Sequence, residues 1–167
     1  MADNSGIASF QFVSYKIDKT ILKAAPNINT LMLPVFPSTA QIEISFGIRK
    51  VGKYFFSEKI HYIGGVDVTL KIFDKDKHLF LNGEFGIAGL FQSSGKIEEQ
   101  QEKNIALYNI PAILLPYLRS AITTVISQSG FGTFVLPLFN IYEIAKKNPV
   151  EIIDYTKSTP ETPKTGD

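Results

Sequence analysis

The period of the apolar residues changes part-way along this chain, and that change limits the available folds more than any other feature. From Gln41 the sequence alternates, with Ile42, Ile44, Phe46 and Ile48 on one side and Gln41, Glu43, Ser45 and Gly47 on the other. A two-residue period is that of a half-buried strand. Val66, Val68, Leu70 and Ile72 repeat it against Asp67, Thr69 and Lys71. The turn-like run Asp74-Lys75-Asp76-Lys77 leads into Leu79, Leu81 and Phe85, which alternate with Phe80, Asn82 and Glu84, so an antiparallel hairpin is predicted. Residues 10–22 read as a less regular strand: apolar Phe10 and Phe12 give way to Val13, Tyr15 and Ile17, a phase change that predicts a bulge. Residues 54–63 carry a poorer strand pattern.

In the second half the period lengthens. Leu114, Leu118, Ala121, Ile122, Val125 and Ile126 recur at helical spacing. Asn109 reads as the cap of this helix, with Pro111 and Pro116 in or near its first turns and Gly130 as its stop. Pro116 is expected to bend it, because one carbonyl loses its usual donor. Asn140, followed three positions on by Glu143, announces a second, shorter helix that Pro149 ends. The polar stretch 96–104 reads as a solvated helix ahead of the long one. Strands followed by helices, without alternation between them, predict the α+β class, with helices packed on one face of an antiparallel sheet.

A chain of 167 residues is most simply one domain with a sizeable core. Residues 1–7 and 156–167 are polar, the latter rich in Pro and Thr, and are predicted to be disordered, leaving a folded domain over 8–155. The formal net charge of +1 offers no field that favours nucleic acid or an anionic membrane. The absence of Cys removes disulfides, thiolate ligands and cysteine nucleophiles, which suits the reducing cytoplasm. Neither a signal peptide at the N-terminus nor an uninterrupted apolar run of membrane-spanning length is read, so a cytoplasmic protein without membrane insertion is expected. Thirteen Phe and seven Tyr, with no Trp, fit either a Phe-rich core or a contact surface lined by rings.

Catalytic patterns are sought without success. His61 and His78 lie in or beside strand-like segments with no acidic or second histidine at ligand spacing. Glu98-Glu99 and the Asp74/Asp76 pair fall where a solvated helix and a turn would place them. Gly64-Gly65 and Gly83/Gly86/Gly89 lack the spacing and the Lys-Ser/Thr pair of a phosphate-cradling loop. No enzyme activity, cofactor or metal is expected. Two loops are unusual instead. LMLPVF, residues 31–36, and FGTFVLPLF, residues 131–139, are apolar, with proline to fix an extended path, where loops are ordinarily polar. They either cover the core or present an apolar surface.

Several segments together resemble the SecB chaperones. Phe85-Gly86-Ile87-Ala88-Gly89 is similar to the F-x-I-x-G ending of their fourth strand. Pro111-Ala112-Ile113-Leu114-Leu115-Pro116-Tyr117-Leu118-Arg119 resembles the P-x-x-L-[FL]-P-Y-x-R opening of their long helix. Ile122-Thr123 and Val125-Ile126-Ser127 continue that helix, and residues 134–140 resemble the L-x-P-x-N-F region before their last one. Order and spacing agree over about residues 8–148. The resemblance implies a four-stranded antiparallel sheet with two C-terminal helices on one face and a homo-oligomer, a dimer of dimers, assembled through the long helices and edge strands. It also implies a groove for non-native chains formed by the first interstrand loop, the second strand and the interhelical loop. In this sequence those positions hold Leu31, Met32, Leu33, Val35 and Phe36, then Ile42, Ile44 and Phe46, then Phe131, Phe134, Val135, Leu136, Leu138 and Phe139.

The chain departs from the family in two respects. Positions where the family carries carboxylates that help dock the motor SecA hold Thr20, Ala24 and His78, with Lys23 adjacent, which weakens the expectation of SecA as a partner. Extra sequence stands around residues 49–65 and 96–104. The expected function is ATP-independent holding of unfolded or nascent polypeptides, in the setting of protein export. The alternatives are a dedicated chaperone or adaptor for one partner, such as an antitoxin, and a binding protein for a small apolar ligand.

Overall fold

The computed structural model describes residues 9–25 and 40–156. Six strands, β1 (Phe10–Ala24), β2 (Gln41–Ile48), β3 (Val51–Phe56), β4 (Lys59–Phe73), β5 (Leu79–Ser93) and β6 (Ile152–Asp154), form one sheet. Its order is β1-β5-β4-β3-β6, with β2 also paired to β4. The helical layer is α1 (Glu99–Phe131) and α2 (Ile141–Lys147). The fold is α+β as the periodicity predicts, but the sheet has six strands rather than four.

The difference has a local cause. β2 and β3 lie end to end along one side of the 15-residue β4, β2 against its second half and β3 against its first. They break at Arg49-Lys50, where the Arg49 N–H donates to the Gly65 carbonyl at 2.9 Å. The weak pattern of residues 54–63 conceals a hairpin, because Tyr54, Phe55 and Phe56 are exposed while Val51 and Gly52 are buried. The hairpin turns at Ser57 and Glu58, both at positive φ. β6 completes the count by adding in parallel to β3.

Elsewhere the pattern holds. Ile42, Ile44, Phe46 and Ile48 pair with Ile72, Leu70, Val68 and Val66, all on the face towards the helices. The predicted bulge in β1 is a register shift between Phe12 and Ser14; a second, between Ile17 and Lys19, has no counterpart in the sequence pattern. Phe80 departs from the reading that set it on the outer face. It is 5% exposed and meets the Phe131 ring edge-on at 5.7 Å, in the region of an irregularity at Ile72/Phe73.

Asn109 does not cap a helix. It has helical dihedrals and no side-chain cap, within a π-helical stretch, Ile105–Asn109, that joins the polar segment to the long helix. A wider turn immediately before Pro111 eases the steric demand of a ring that lacks an N–H. The predicted stop at Gly130 is present, with φ at 86°. α1 is by length and composition apolar enough to cross a membrane. Its Ile110, Leu114, Leu118, Ile122 and Ile126 are nevertheless fully buried against the sheet, as a core helix requires. Gly89 lets the helix approach, since a Cβ there would lie 2.6 Å from the Leu114 side chain. Asn140 caps α2 as predicted, its side chain accepting from the Tyr142 N–H at 3.0 Å.

Candidate functional site

The interhelical loop runs from Gly132 to Asn140 without regular secondary structure, and its side chains divide between core and solvent. Phe134 and Leu136 point inward, 7% and 0% exposed, and Phe131 is buried beside them. Val135 and Leu138 point outward, 55% and 86% exposed. The structure thus divides the residues expected to share a groove. Phe131 and Phe134 belong to the core, where the Phe131 ring meets Phe80. Leu136 is buried too, but it forms the floor of a hollow whose rim is Val135, Leu138 and Phe139.

This hollow, about 470 Å³, lies between the loop and the outer side of α1, where Leu115, Pro116 and Thr123 line it. The Pro116 ring cannot donate to the Ala112 carbonyl, and Ala112 also lines the hollow. A second hollow of about 460 Å³ opens on the other side of Phe139, walled by Ile44 and Phe46 of β2 and by Ile144 and Lys147 of α2. Phe139 belongs to both, and its ring meets Phe46 edge-on at 4.1 Å. Ile42 continues the same face of β2 and is 49% exposed. Ile44, Phe46, Val135, Leu138 and Phe139 are therefore brought together along one open path, mainly apolar beside α1 and mixed beside α2, where Ser45, Asn140 and Asn148 also line it; Ile42 lies beyond it on the same face of β2. Leu31, Met32, Leu33, Val35 and Phe36 lie outside the described residues. The sequence reading missed the wall supplied by α1 and α2; the outward helical positions Ala112, Leu115 and Thr123 were its only trace.

Apart from Glu143 and Lys147, which line the second hollow, the charged clusters lie away from this path. On the outer sheet face Arg49 forms a bidentate pair with Asp67, Nε to Oδ2 at 2.9 Å and Nη2 to Oδ1 at 2.6 Å, and reaches Asp18 through Nη1 at 2.6 Å. Asp18 is the extra residue of the second β1 bulge, which turns its carboxylate towards Arg49. The guanidinium hydrogen bond holds the Asp18 carboxyl below its ordinary value. Gly86 makes room for the crossing, since a Cβ there would collide with the Arg49 guanidinium. Lys19 pairs with Glu84 at 2.6 Å on the same face.

Between sheet and helix, Glu102 is buried and takes hydrogen bonds from Lys53 and from the Tyr62 hydroxyl, the latter at 2.7 Å. Desolvation and the carboxylate push the Tyr62 hydroxyl pKa up. The polar segment read as solvated thus carries one anchored residue. His78 differs from its sequence reading as well. Its Nδ1 lies 3.3 Å from Asp74, and with Asp76 the three form an exposed cluster close enough to share a cation. Asp74 already accepts from the backbone N–H groups of Asp76 and His78, as turn-forming aspartates do. His61 is partly buried beside Phe56.

Residues 26–148 match the family described as preprotein translocase subunit SecB. The chain belongs to the SecB family. It is 33% identical over 122 residues to the protein-export protein SecB of Dechloromonas aromatica (strain RCB), an alignment spanning 73% of this chain and 75% of that relative. Its fold is similar to that of a SecB-like chaperone of Mycobacterium tuberculosis solved with a peptide from an antitoxin. The TM-score is 0.59 at 13% identity, over 79% of this chain and 91% of the other.

Proposed function

We propose that this SecB-family chaperone acts in the cytoplasm as an ATP-independent, non-catalytic holdase for unfolded or nascent polypeptides. The observation that carries the reading is the open path on either side of Phe139, with the apolar side chains Val135 and Leu138 largely in solvent and Ile42 half exposed beyond it. Covering such surface is favourable and non-directional, so it accepts many sequences. Among the described residues β2 pairs only with β4, and its other edge adds backbone groups to which an extended client can hydrogen-bond. Leu31, Met32, Leu33, Val35 and Phe36 of the first interstrand loop complete the groove in this proposal, and Phe131, Phe134 and Leu136 support it from below.

The working form proposed is a homo-oligomer, a dimer of dimers. β1 is an edge strand of the sheet, and beside it Tyr15 and Tyr117, with ring centroids 4.5 Å apart, border a hollow of about 390 Å³ with Ala121 and Val125. Asp18, Asp67 and Glu84 are each tied to a cation of the same chain, which leaves less free carboxylate on the outer face for a basic partner such as SecA. The test is aggregation of a chemically unfolded client followed by light scattering without nucleotide. Protection by excess chaperone is expected for unrelated clients. Protection that requires ATP, or none at molar excess, refutes the reading, and protection of a single client alone would replace it with a dedicated chaperone.

A further inference from the structure

Because β2 and β3 follow one another along β4, they present a single sheet edge. Among the described residues its β2 half, 41–48, pairs only with β4, whereas its β3 half is covered by β6. β6 is held in parallel. The Val51 N–H donates to the Glu151 carbonyl at 2.9 Å, and the Tyr155 N–H donates to the Lys53 carbonyl at 2.8 Å. Val150 and Ile152 pack against the core, and the Tyr155 ring stacks on Tyr54 at 5.0 Å. Beside the core strands this hold is short: three paired residues, two half-buried isoleucines, an exposed Lys50–Glu151 ion pair and the flanking contacts of Val150 and Tyr155. β6 also lies beyond the residues that match the family.

β6 already does what a client of this edge would do. It adds an extended chain to the sheet, satisfies backbone groups and, with Val150 before it, packs Ile152 against the apolar layer. We propose that the whole β2–β3 edge is a docking surface for extended unfolded polypeptide, and that β6 is a displaceable occupant of its β3 half. This rests on the client-binding reading above. The groups on offer are backbone N–H and C=O in a strand ladder, in phase with apolar side chains, and an unfolded polypeptide matches both. Short, one-sided pairing of this kind opens locally at far lower cost than the core strands, so β6 and a client compete for the same groups.

The test uses the full chain. Ile153→Pro with Tyr155→Pro removes two β6 donors. Val51→Cys with Ile152→Cys, in a chain with no other Cys, fastens β6 when oxidised and frees it when reduced. Affinity for a labelled apolar peptide without stable structure is read by fluorescence anisotropy, together with light scattering and circular dichroism. The proline variant is expected to bind about tenfold more tightly than the unmodified chain, and the oxidised disulfide form several-fold more weakly than the same protein reduced. Equal affinity in all forms, with the unmodified chain still binding, overturns the competition and leaves the client-binding reading in place. No binding by the unmodified chain removes both. A proline variant that forms larger species without gaining peptide affinity assigns the edge to a second copy of this chain and overturns the proposal. If the proline variant fails to fold, the oxidised and reduced forms alone decide.

Discussion

Leu136 and Leu138 stand two residues apart in one loop, fully buried and 86% exposed, and replacing them should have opposite consequences. Consider Val135→Ser with Leu138→Ser. Burying a valine or leucine side chain is worth about 1.5–3 kcal/mol. With 86% of Leu138 and 55% of Val135 open in the free chain, a client that covers both gains roughly 3 kcal/mol from the pair. Losing it should weaken client binding about a hundredfold, since ~1.4 kcal/mol is tenfold. The melting temperature should scarcely move, because exposed side chains have little burial to lose. Leu136→Ala should do the reverse. A cavity at a site with no exposure costs about 2–5 kcal/mol, a fall on the order of 10 °C, with affinity per folded molecule unchanged. Anisotropy with a labelled unfolded client and thermal unfolding by circular dichroism measure the two quantities. If the double serine variant melts normally and binds normally, the loop is not a client surface. If it melts as low as Leu136→Ala, its side chains are structural.

Glu102→Ala should lower stability by about 3–5 kcal/mol in urea unfolding, because it leaves the Lys53 ammonium buried without its partner; a change below about 1 kcal/mol would mean that the pair is solvated. Asp18 has a folded pKa lowered from 3.8 by Arg49, so its contribution to stability is present above that unfolded value and is lost as pH falls through the lower folded one. Urea midpoints measured below about pH 4 should therefore fall more steeply for the unmodified chain than for Arg49→Met, and parallel curves would count against the pairing.

The sequence disclosed the parts of the fold whose apolar pattern is set by a single sheet face. β2, the second half of β4, and β5 from Leu81 onward each contact the helical layer on one side only, and their alternation is plain. It failed where burial follows another rule. At residues 54–63 the aromatic side chains of Tyr54, Phe55 and Phe56 lie exposed at a hairpin while Tyr62 is buried, so hydrophobicity and burial part company. At Asn109 and Pro111 the residues that ordinarily open a helix instead sit inside one, because a π-helical stretch accommodates the ring. Glu102 gave no signal, since nothing in a run of polar residues distinguishes the one anchored by Lys53 and Tyr62. The candidate site was half legible. Both loops could be identified as apolar, but the division of FVLPLF into buried Phe134 and Leu136 and exposed Val135 and Leu138 follows no single period, since Leu138 breaks the alternation that the three residues before Pro137 keep.

The two bulges of β1 bear on a hazard that the proposed holdase role would carry. A flat, regular edge strand is a template on which further strands add without limit. In β1, which pairs only with β5 among the described residues, the register slips twice within 15 residues, at Val13 and at Asp18, so its outer side is a set of short ladders out of phase with one another. A neighbouring strand can follow one of them for a few residues before its donors and acceptors fall out of step. Such an edge favours one defined partner over an indefinitely growing stack, and so protects the chaperone from the fate from which it would keep its clients.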